Sequence, residues 1–291
     1  MAPSPLIVVV GPTASGKTAL AIRLATEYDG EIICADSRTI YKGMDIGTAK
    51  PTDAEQGVVK HWGLDLVEPG ERFTAADFKD YANECIADIR KRGKVPFLVG
   101  GTGLYVDAVL YDYRFGDGYD SARRNSLLQM SIESLQNYCK KHNIQLPQNI
   151  SNKRYIVRAI EQNGINNSSN DVPITNSIVV GISTDAAILR TRIEHRSEQL
   201  FQDGVVEEAK KLGKKYGWES EAMTGNVYRI IHRYVNGDIS LDDAKRLFVI
   251  RDRQLAKRQL TWFRRRKHIE WLELDEAYTF LARQLEKYKQ P

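Results

Sequence analysis

Leu6-Ile-Val-Val-Val10 runs directly into Gly11-Pro-Thr-Ala-Ser-Gly-Lys-Thr18, and Ala19-Leu-Ala-Ile-Arg-Leu-Ala-Thr-Glu27 follows. Five apolar, mostly β-branched residues predict a buried strand. The next eight fit Gly-x4-Gly-Lys-Ser/Thr, a loop that cradles phosphate. Its N–H groups and the start of the next helix converge on one anion. Gly11 and Gly16 free the backbone for turns that a Cβ would hinder. Lys17 adds a point charge, and the Thr18 hydroxyl is a ligand for Mg²⁺. The full pattern in a strand-loop-helix context argues against a chance match. Gly11, Pro12, Thr13, Ala14, Ser15, Gly16, Lys17 and Thr18 are therefore candidate phosphate binders. The loop names the phosphate but not what carries it.

The 291 residues, 42% apolar and 27% charged, suit one large soluble domain or two smaller ones. No apolar run approaches the ~20 residues of a membrane helix, and no signal peptide is evident. The expected location is the cytoplasm, as a monomer. Cys34, Cys85 and Cys139 are odd in number and scattered, which argues for a reducing compartment and against a disulfide or zinc framework. Residues 121–161 carry seven Lys/Arg against two acids, and residues 251–267 carry eight against one. Two basic blocks on an otherwise acidic body suggest a polyanionic partner larger than one nucleotide. Solvated helix faces are the plain alternative for either block alone.

Gly30 suits a C-cap, and Glu31–Ala35 predicts a second strand that delivers Asp36 to the carboxyl edge of the sheet, where ligands bind in open α/β folds. Residues 37–60 predict an ordered loop, and His61–Val67 a third strand. Thr74 and Asp77 approximate a capping box before a helix ending at Gly93. Val95–Val99 predicts a strand, and Gly100-Gly-Thr-Gly-Leu-Tyr105 repeats the layout of the first turn, suggesting a second backbone approach to phosphate or a nucleotide. Alternating strands and helices imply a parallel sheet. From about residue 116 the pattern turns helical (131–141 and 152–162), with a hinge at Gly116–Gly118 and a return linker at 163–176. Ser177–Ile182 restores a strand. An inserted helical domain, 116–174, thus interrupts a core of 1–115 and 175–291. Everything after 185 predicts helix: 186–202, 204–213, 221–236 and 240–266.

A kinase or NTPase couples its loop to an Asp closing an apolar strand. Here the strand at 95–99 ends in Gly-Gly, and Asp36 leads into Ser37 and Tyr41. A phosphate loop without hydrolytic apparatus permits another chemistry, in which the loop holds a departing diphosphate.

Six segments, in order, carry a resemblance: Gly11–Thr18, Asp36-Ser-Arg-Thr-Ile-Tyr-Lys-Gly-Met-Asp-Ile-Gly-Thr-Ala-Lys-Pro51, His61-Trp-Gly-Leu-Asp65, Phe73-Thr74 with Phe78, Gly100–Tyr105, and Ala256-Lys-Arg-Gln-Leu-Thr-Trp-Phe-Arg264. Together they resemble the bacterial-type tRNA dimethylallyltransferases, up to about residue 266. The resemblance implies a P-loop α/β core of NTPase type with a helical insertion and a helical C-terminal region. It implies Mg²⁺-dependent transfer of a dimethylallyl group from its diphosphate to N6 of the adenosine at tRNA position 37, with the insertion gripping the anticodon stem-loop. Thr13 and Lys17 would neutralise charge as it builds on the leaving group, aided by Arg192 or Arg196 of a later helix. Asp36 would accept the N6 proton. Ser37, Arg38 and Thr39 match the segment contacting the adenine, and Thr102, Arg124, Arg154, Arg158 and Arg258 match positions facing tRNA. Arg251, Arg258 and Arg265, seven apart, are expected on one helix face as a phosphate track.

Thr39 stands where the resembled pattern has Gln, Trp62 where it has His, and Tyr155 where it has Arg. These departures bear on base recognition. A transferase prenylating AMP, ADP or ATP, a P-loop kinase or NTPase, and a non-catalytic RNA binder are the competing readings. The basic blocks argue against the first, and the intact Lys17, Thr18 and Asp36 against the last.

Overall fold

The computed structural model describes residues 3–115, 121–161 and 170–289. Its elements in chain order are β1 (Leu6–Val10), α1 (Lys17–Glu27), β2 (Gly30–Cys34), α2 (Asp53–Val58), β3 (His61–Trp62), α3 (Ala75–Lys91), β4 (Val95–Gly100) and α4 (Gly103–Leu110). Then follow α5 (Ser121–Gln129), α6 (Ile132–Lys141), α7 (Lys153–Glu161), β5 (Ser177–Ile182), α8 (Ala186–Gln202) and α9 (Val205–Tyr216). A 3₁₀ turn (Ala222–Thr224), α10 (Asn226–Val235), α11 (Leu241–Phe263), β6 (Glu270–Leu272) and α12 (Leu274–Lys289) complete the chain. Packing divides it into two compact units, Met1–Leu110 with Val172–Pro291, and Tyr111–Asp171.

The larger unit is built on a parallel sheet ordered β3-β2-β4-β1-β5-β6. β1 lies between β4 and β5, with Val8 beside Leu98 and Val179. All five of its residues are buried, which accounts for an unbroken apolar run where alternation would mark an exposed face. One apolar core combines β1, β2, β4 and β5 with Leu20, Leu24 and the α12 residues Ala277, Leu281 and Leu285. A second joins Ile40, Tyr41 and Met44 to α9, α10 and Phe248 of α11.

Local chemistry places the ends of elements. Thr74 Oγ1 accepts from the Asp77 N–H at 3.3 Å, and Asp77 Oδ2 accepts from the Thr74 N–H at 2.7 Å, closing the expected box although Asp replaces Glu. Gly30 is not a cap. Asp29 takes the left-handed turn (φ 51°), and Gly30 begins β2 where a Cβ would lie 2.4 Å from the Phe97 ring. Of the strand expected at 61–67, His61 and Trp62 join the sheet, while Val67 makes an isolated parallel bridge to Tyr41. Left-handed Gly63 (φ 81°) and Asp65 (φ 52°) then turn the chain out of the ladder. The helix-only reading beyond 185 fails at Glu270–Leu272, a short edge strand that pairs in parallel with Val180–Ile182. The stretch read as one helix at 221–236 is broken at Gly225, whose ψ of 147° is extended. The proposed hinge at Gly116–Gly118 lies outside the described residues, as do 163–169 of the linker.

The smaller unit contains α5, α6 and α7 around Leu127, Leu135, Cys139, Ile144, Ile156, Val157 and Ile160. α5 is additional to the two helices read from the sequence. Ser131 caps α6 by accepting from the Ser134 N–H at 3.0 Å.

Candidate active site

The turn after β1 curls through Ala14 (φ 60°) and Gly16 (φ 91°) into α1. It opens on a pocket of about 580 Å³ in the larger unit. Thr13, Ala14, Gly16, Lys17 and Thr18 line one part. Asp36, Ser37, Arg38 and Thr39, delivered by β2, line another, together with Gly100, Gly101 and Thr102 after β4. Arg196 of α8, Asn226 of α10, and Asp252 and Arg258 of α11 complete the cationic and polar wall. Parallel strands ending on the same side bring these loops together.

The loop is held by side chains distant in sequence. Gln259 Oε1 accepts from the Thr13 N–H at 2.8 Å, while Gln259 Nε2 donates to the Gly101 carbonyl at 3.2 Å. One α11 amide thereby joins both glycine-rich turns. Arg196 Nη1 donates to Thr13 Oγ1, and Arg192 Nη1 to the Ser15 carbonyl at 3.2 Å. Both candidate arginines therefore reach the loop, but Arg196 is the one that lines the pocket. Lys17 Nζ donates to the Pro12 carbonyl at 3.1 Å. Desolvation lowers its pKa to about 8; Asp36 opposes that shift and Arg196 adds to it.

Asp36 is oriented by its own turn, Oδ1 accepting from the Arg38 N–H at 2.8 Å. Thr102 Oγ1 accepts from the Ser37 N–H at 3.0 Å. Arg38 is committed to the 3₁₀ turn, where Nη2 donates to Thr224 Oγ1 at 3.2 Å. Thr39 is buried, and its hydroxyl donates to the Asp36 carbonyl at 3.4 Å. Cys34 also lines the pocket, but burial pushes its thiol up to about 12, so it remains protonated and a packing residue.

The loop from Asp45 to Pro51 is built by two residues with no obvious role on sequence grounds. Glu208 accepts from the N–H groups of Asp45, Ile46 and Gly47 at 2.8–2.9 Å, and from Tyr228 Oη at 2.8 Å. Lys50 buries its amine against Asp45 at 2.5 Å and Asp65 at 2.6 Å. Trp62 points away from the pocket into a sheet-edge cluster, its Nε1 donating to Glu31 Oε2 at 2.8 Å.

Of the residues matched to tRNA contacts, Arg258 lies in the pocket wall. Arg124, Arg154 and Arg158 belong to the smaller unit. Arg124 is paired with Glu161 at 2.6 Å, Arg158 stands 3.9 Å from the same carboxylate, and Arg154 is exposed. The expected track of Arg251, Arg258 and Arg265 is cut short, because α11 ends at Phe263 and Arg265 lies beyond it. Phe263 is fully buried and Trp262 Nε1 donates to Asp107 at 2.8 Å, so both anchor the helix.

The family model described as IPP transferase matches residues 39–266, and one described as isopentenyl transferase matches 4–65. The chain belongs to the IPP transferase family. It is 37% identical over 285 residues to a tRNA dimethylallyltransferase of Bacillus pumilus, covering 93% of this chain and 90% of that protein. A relative of the same description in Acetivibrio thermocellus is 38% identical over 288 residues, covering 93% and 92%. The solved structure of a tRNA isopentenylpyrophosphate transferase from Bacillus halodurans superposes with a TM-score of 0.74 at 34% identity, covering 98% of this chain and 97% of that one. A eukaryotic dimethylallyltransferase, solved acting on tRNA, shares the fold at a TM-score of 0.80 and 22% identity, covering 93% and 74%. The family's α/β fold, with its parallel sheet, is the one described above. Among the described residues, no helix is long and apolar enough to cross a membrane.

Proposed function

We propose that this protein transfers a dimethylallyl group from dimethylallyl diphosphate to N6 of the adenosine at tRNA position 37, releasing diphosphate. One observation carries the reading: a single pocket holds the phosphate loop with Lys17 and Arg196, and the fixed carboxylate of Asp36. Lys17, Arg196 and the loop N–H groups bind the diphosphate and stabilise the charge that gathers on it as the allylic C1–O bond breaks. The bond from C1 to N6 forms as Asp36 accepts the N6 proton. Thr102 holds Ser37, and with it the Asp36 turn, in register.

The residues fit Mg²⁺. Thr18 presents a hard oxygen in the pocket, while no group of three or more His, Cys, Asp or Glu side chains is poised for a metal among the described residues. Mg²⁺ takes few protein ligands and fills its shell with water and phosphate. When bound, it would supply neutralisation of the departing diphosphate.

The inserted unit, with Arg154 exposed and Arg158 partly so, supplies cations for the anticodon stem-loop; Arg124, tied to Glu161, braces that unit. Arg258 adds a cation at the pocket wall. A tRNA substrate supports a place of work in the cytoplasm.

The test offers labelled dimethylallyl diphosphate and Mg²⁺ with unmodified tRNA, AMP or ATP as acceptor. Label is expected on tRNA alone. Label on a mononucleotide, or ATP hydrolysis without transfer, overturns the reading. Asp36→Ala should lower turnover by ~10²–10⁴ while tRNA affinity is kept; equal loss of affinity would assign Asp36 a structural role instead.

A further inference from the structure

We infer that Asp252 is a specificity-determining residue, its Oδ2 accepting a hydrogen bond from an N–H or O–H group of the acceptor nucleotide. The inference rests on the prenyl-transfer reading above. Asp252 lies on the face of α11 that also turns Leu255 and Gln259 to the pocket, and it is only 3% exposed. Its Oδ2 is buried and has no hydrogen-bond partner within the protein. The nearest cation, Arg196 Nη1, stands 4.0 Å away, beyond hydrogen-bond reach. That Nη1 is already given to Thr13, and Arg196 Nε is likewise buried without a partner. Asn226 hydrogen-bonds to the Asp252 side chain without completing Oδ2, Arg258 and Asp36 act on the carboxyl through their charges, and burial raises its pKa.

A buried acceptor without a donor is costly, and native structures rarely leave one unless a ligand or water completes it. The two substrates differ in what they can offer. Dimethylallyl diphosphate presents hydrocarbon and anionic oxygens, so it has no donor for Oδ2. The acceptor nucleotide, internal to an RNA, presents an exocyclic amine and one ribose hydroxyl, the 2′. Arg196 Nε and Asp252 Oδ2 thus sort the two ligands, a spare donor for the anion and a spare acceptor for the nucleotide.

A binding cycle tests this. Unmodified tRNA carrying adenosine, purine riboside (no amine) or 2′-deoxyadenosine (no 2′-hydroxyl) at position 37 is titrated onto the native protein, Asp252→Ala and Asp252→Asn, without prenyl donor. The native protein should bind the adenosine tRNA about tenfold or more tightly than one of the two analogues, and which analogue suffers tells amine from ribose. In Asp252→Ala that preference should collapse. Asp252→Asn, close in shape and still holding an acceptor oxygen, should retain part of it, and a native thermal melt shows that it folds. Affinity for inorganic diphosphate should change less than twofold in both. An undiminished preference in Asp252→Ala overturns the inference and leaves water as the partner of Oδ2. So does a selective loss of diphosphate affinity, which would make Asp252 a positioning residue for Arg196. Neither result touches prenyl transfer by the native protein, whereas failure of that transfer on adenosine tRNA defeats the functional reading itself.

Discussion

The two glycine-rich turns follow neighbouring strands, β1 and β4, and share the order strand, glycine, hydroxyl, helix. They use glycine for opposite ends. In Gly11–Thr18 the freedom is conformational: Gly16 at φ 91° and Ala14 at φ 60° bend the backbone around the space an anion fills. In Gly100–Tyr105 the need is room. A Cβ on Gly100 would sit 2.1 Å from the Ala35 carbonyl, one on Gly101 2.2 Å from Gln259 Nε2, and one on Gly103 2.3 Å from the Trp262 ring. The second turn is a socket for α11, and α11 in turn braces the first through Gln259 and Thr13. A glycine signals that something comes close; only its neighbours say what.

The comparison breaks most sharply at Lys17, which has no counterpart in the second turn. Lys17→Ala should lower kcat/KM for the prenyl donor by ~10³ or more, because one preorganised charge on a leaving group is worth at least that of a single oxyanion donor. The melting temperature should hardly move. A matching fall in stability would mean that the lysine is structural.

Gly103→Ala should do the reverse. Trp262 cannot retreat easily, since its ring is fixed through Nε1 to Asp107, which also accepts from Arg266 Nη2 at 2.6 Å. Overpacking of this kind costs about 1–3 kcal/mol, read as a lower Tm, with diphosphate affinity preserved. Unchanged stability together with weakened diphosphate binding would restore the reading of this turn as a second phosphate site.

That reading came from the layout of Gly100–Tyr105, and the part α11 plays beside this turn shows where sequence runs out. The strands β1, β4 and β5 and the Thr74 box were legible because runs of buried β-branched residues and caps are local signals. Gln259 lay within a quoted motif, yet its double bond to two turns depends on α11 crossing beneath them. Asp252 entered only as the lone acid in a basic block, because burial does not show in a charge count. β6 escaped because three residues, one of them an exposed Glu270, carry too little pattern to mark an edge strand. Arg192 and Arg196, one turn apart on α8, could not be separated until the loop they approach was in place.

Gln259 tests the link between the turns. Gln259→Ala leaves the Thr13 N–H and the Gly101 carbonyl without their partner and should cost about 1–2 kcal/mol. It should also weaken diphosphate binding several-fold, in proportion to the loosened loop. Gln259→Glu keeps an acceptor for Thr13 but loses the donor to Gly101, so diphosphate affinity should fall further through charge while stability falls less. If both variants lose stability alone, α11 braces the second turn only.

The finest test is pH. In the free protein Lys17 titrates at about 8, so the amine is charged below that value and progressively neutral above it. A bound diphosphate favours the charged form and raises this pKa. Binding must therefore take up a proton above pH 8 and weaken as pH rises, while a diphosphate ester is already ionised over this range. For a free pKa of about 8, the Kd for dimethylallyl diphosphate should rise about fourfold between pH 7 and 8.5. Calorimetry in buffers of different ionisation enthalpy would count the proton directly. Lys17→Arg holds its charge throughout and should flatten the profile. The second turn supplies the internal control. Its partners Gln259 and Trp262 do not titrate, so the stability loss in Gly103→Ala should be the same at pH 7 and 8.5. A flat diphosphate profile in the native protein would mean that Lys17 stays charged in the empty pocket, and that Asp36 sets its charge more than desolvation and Arg196 do.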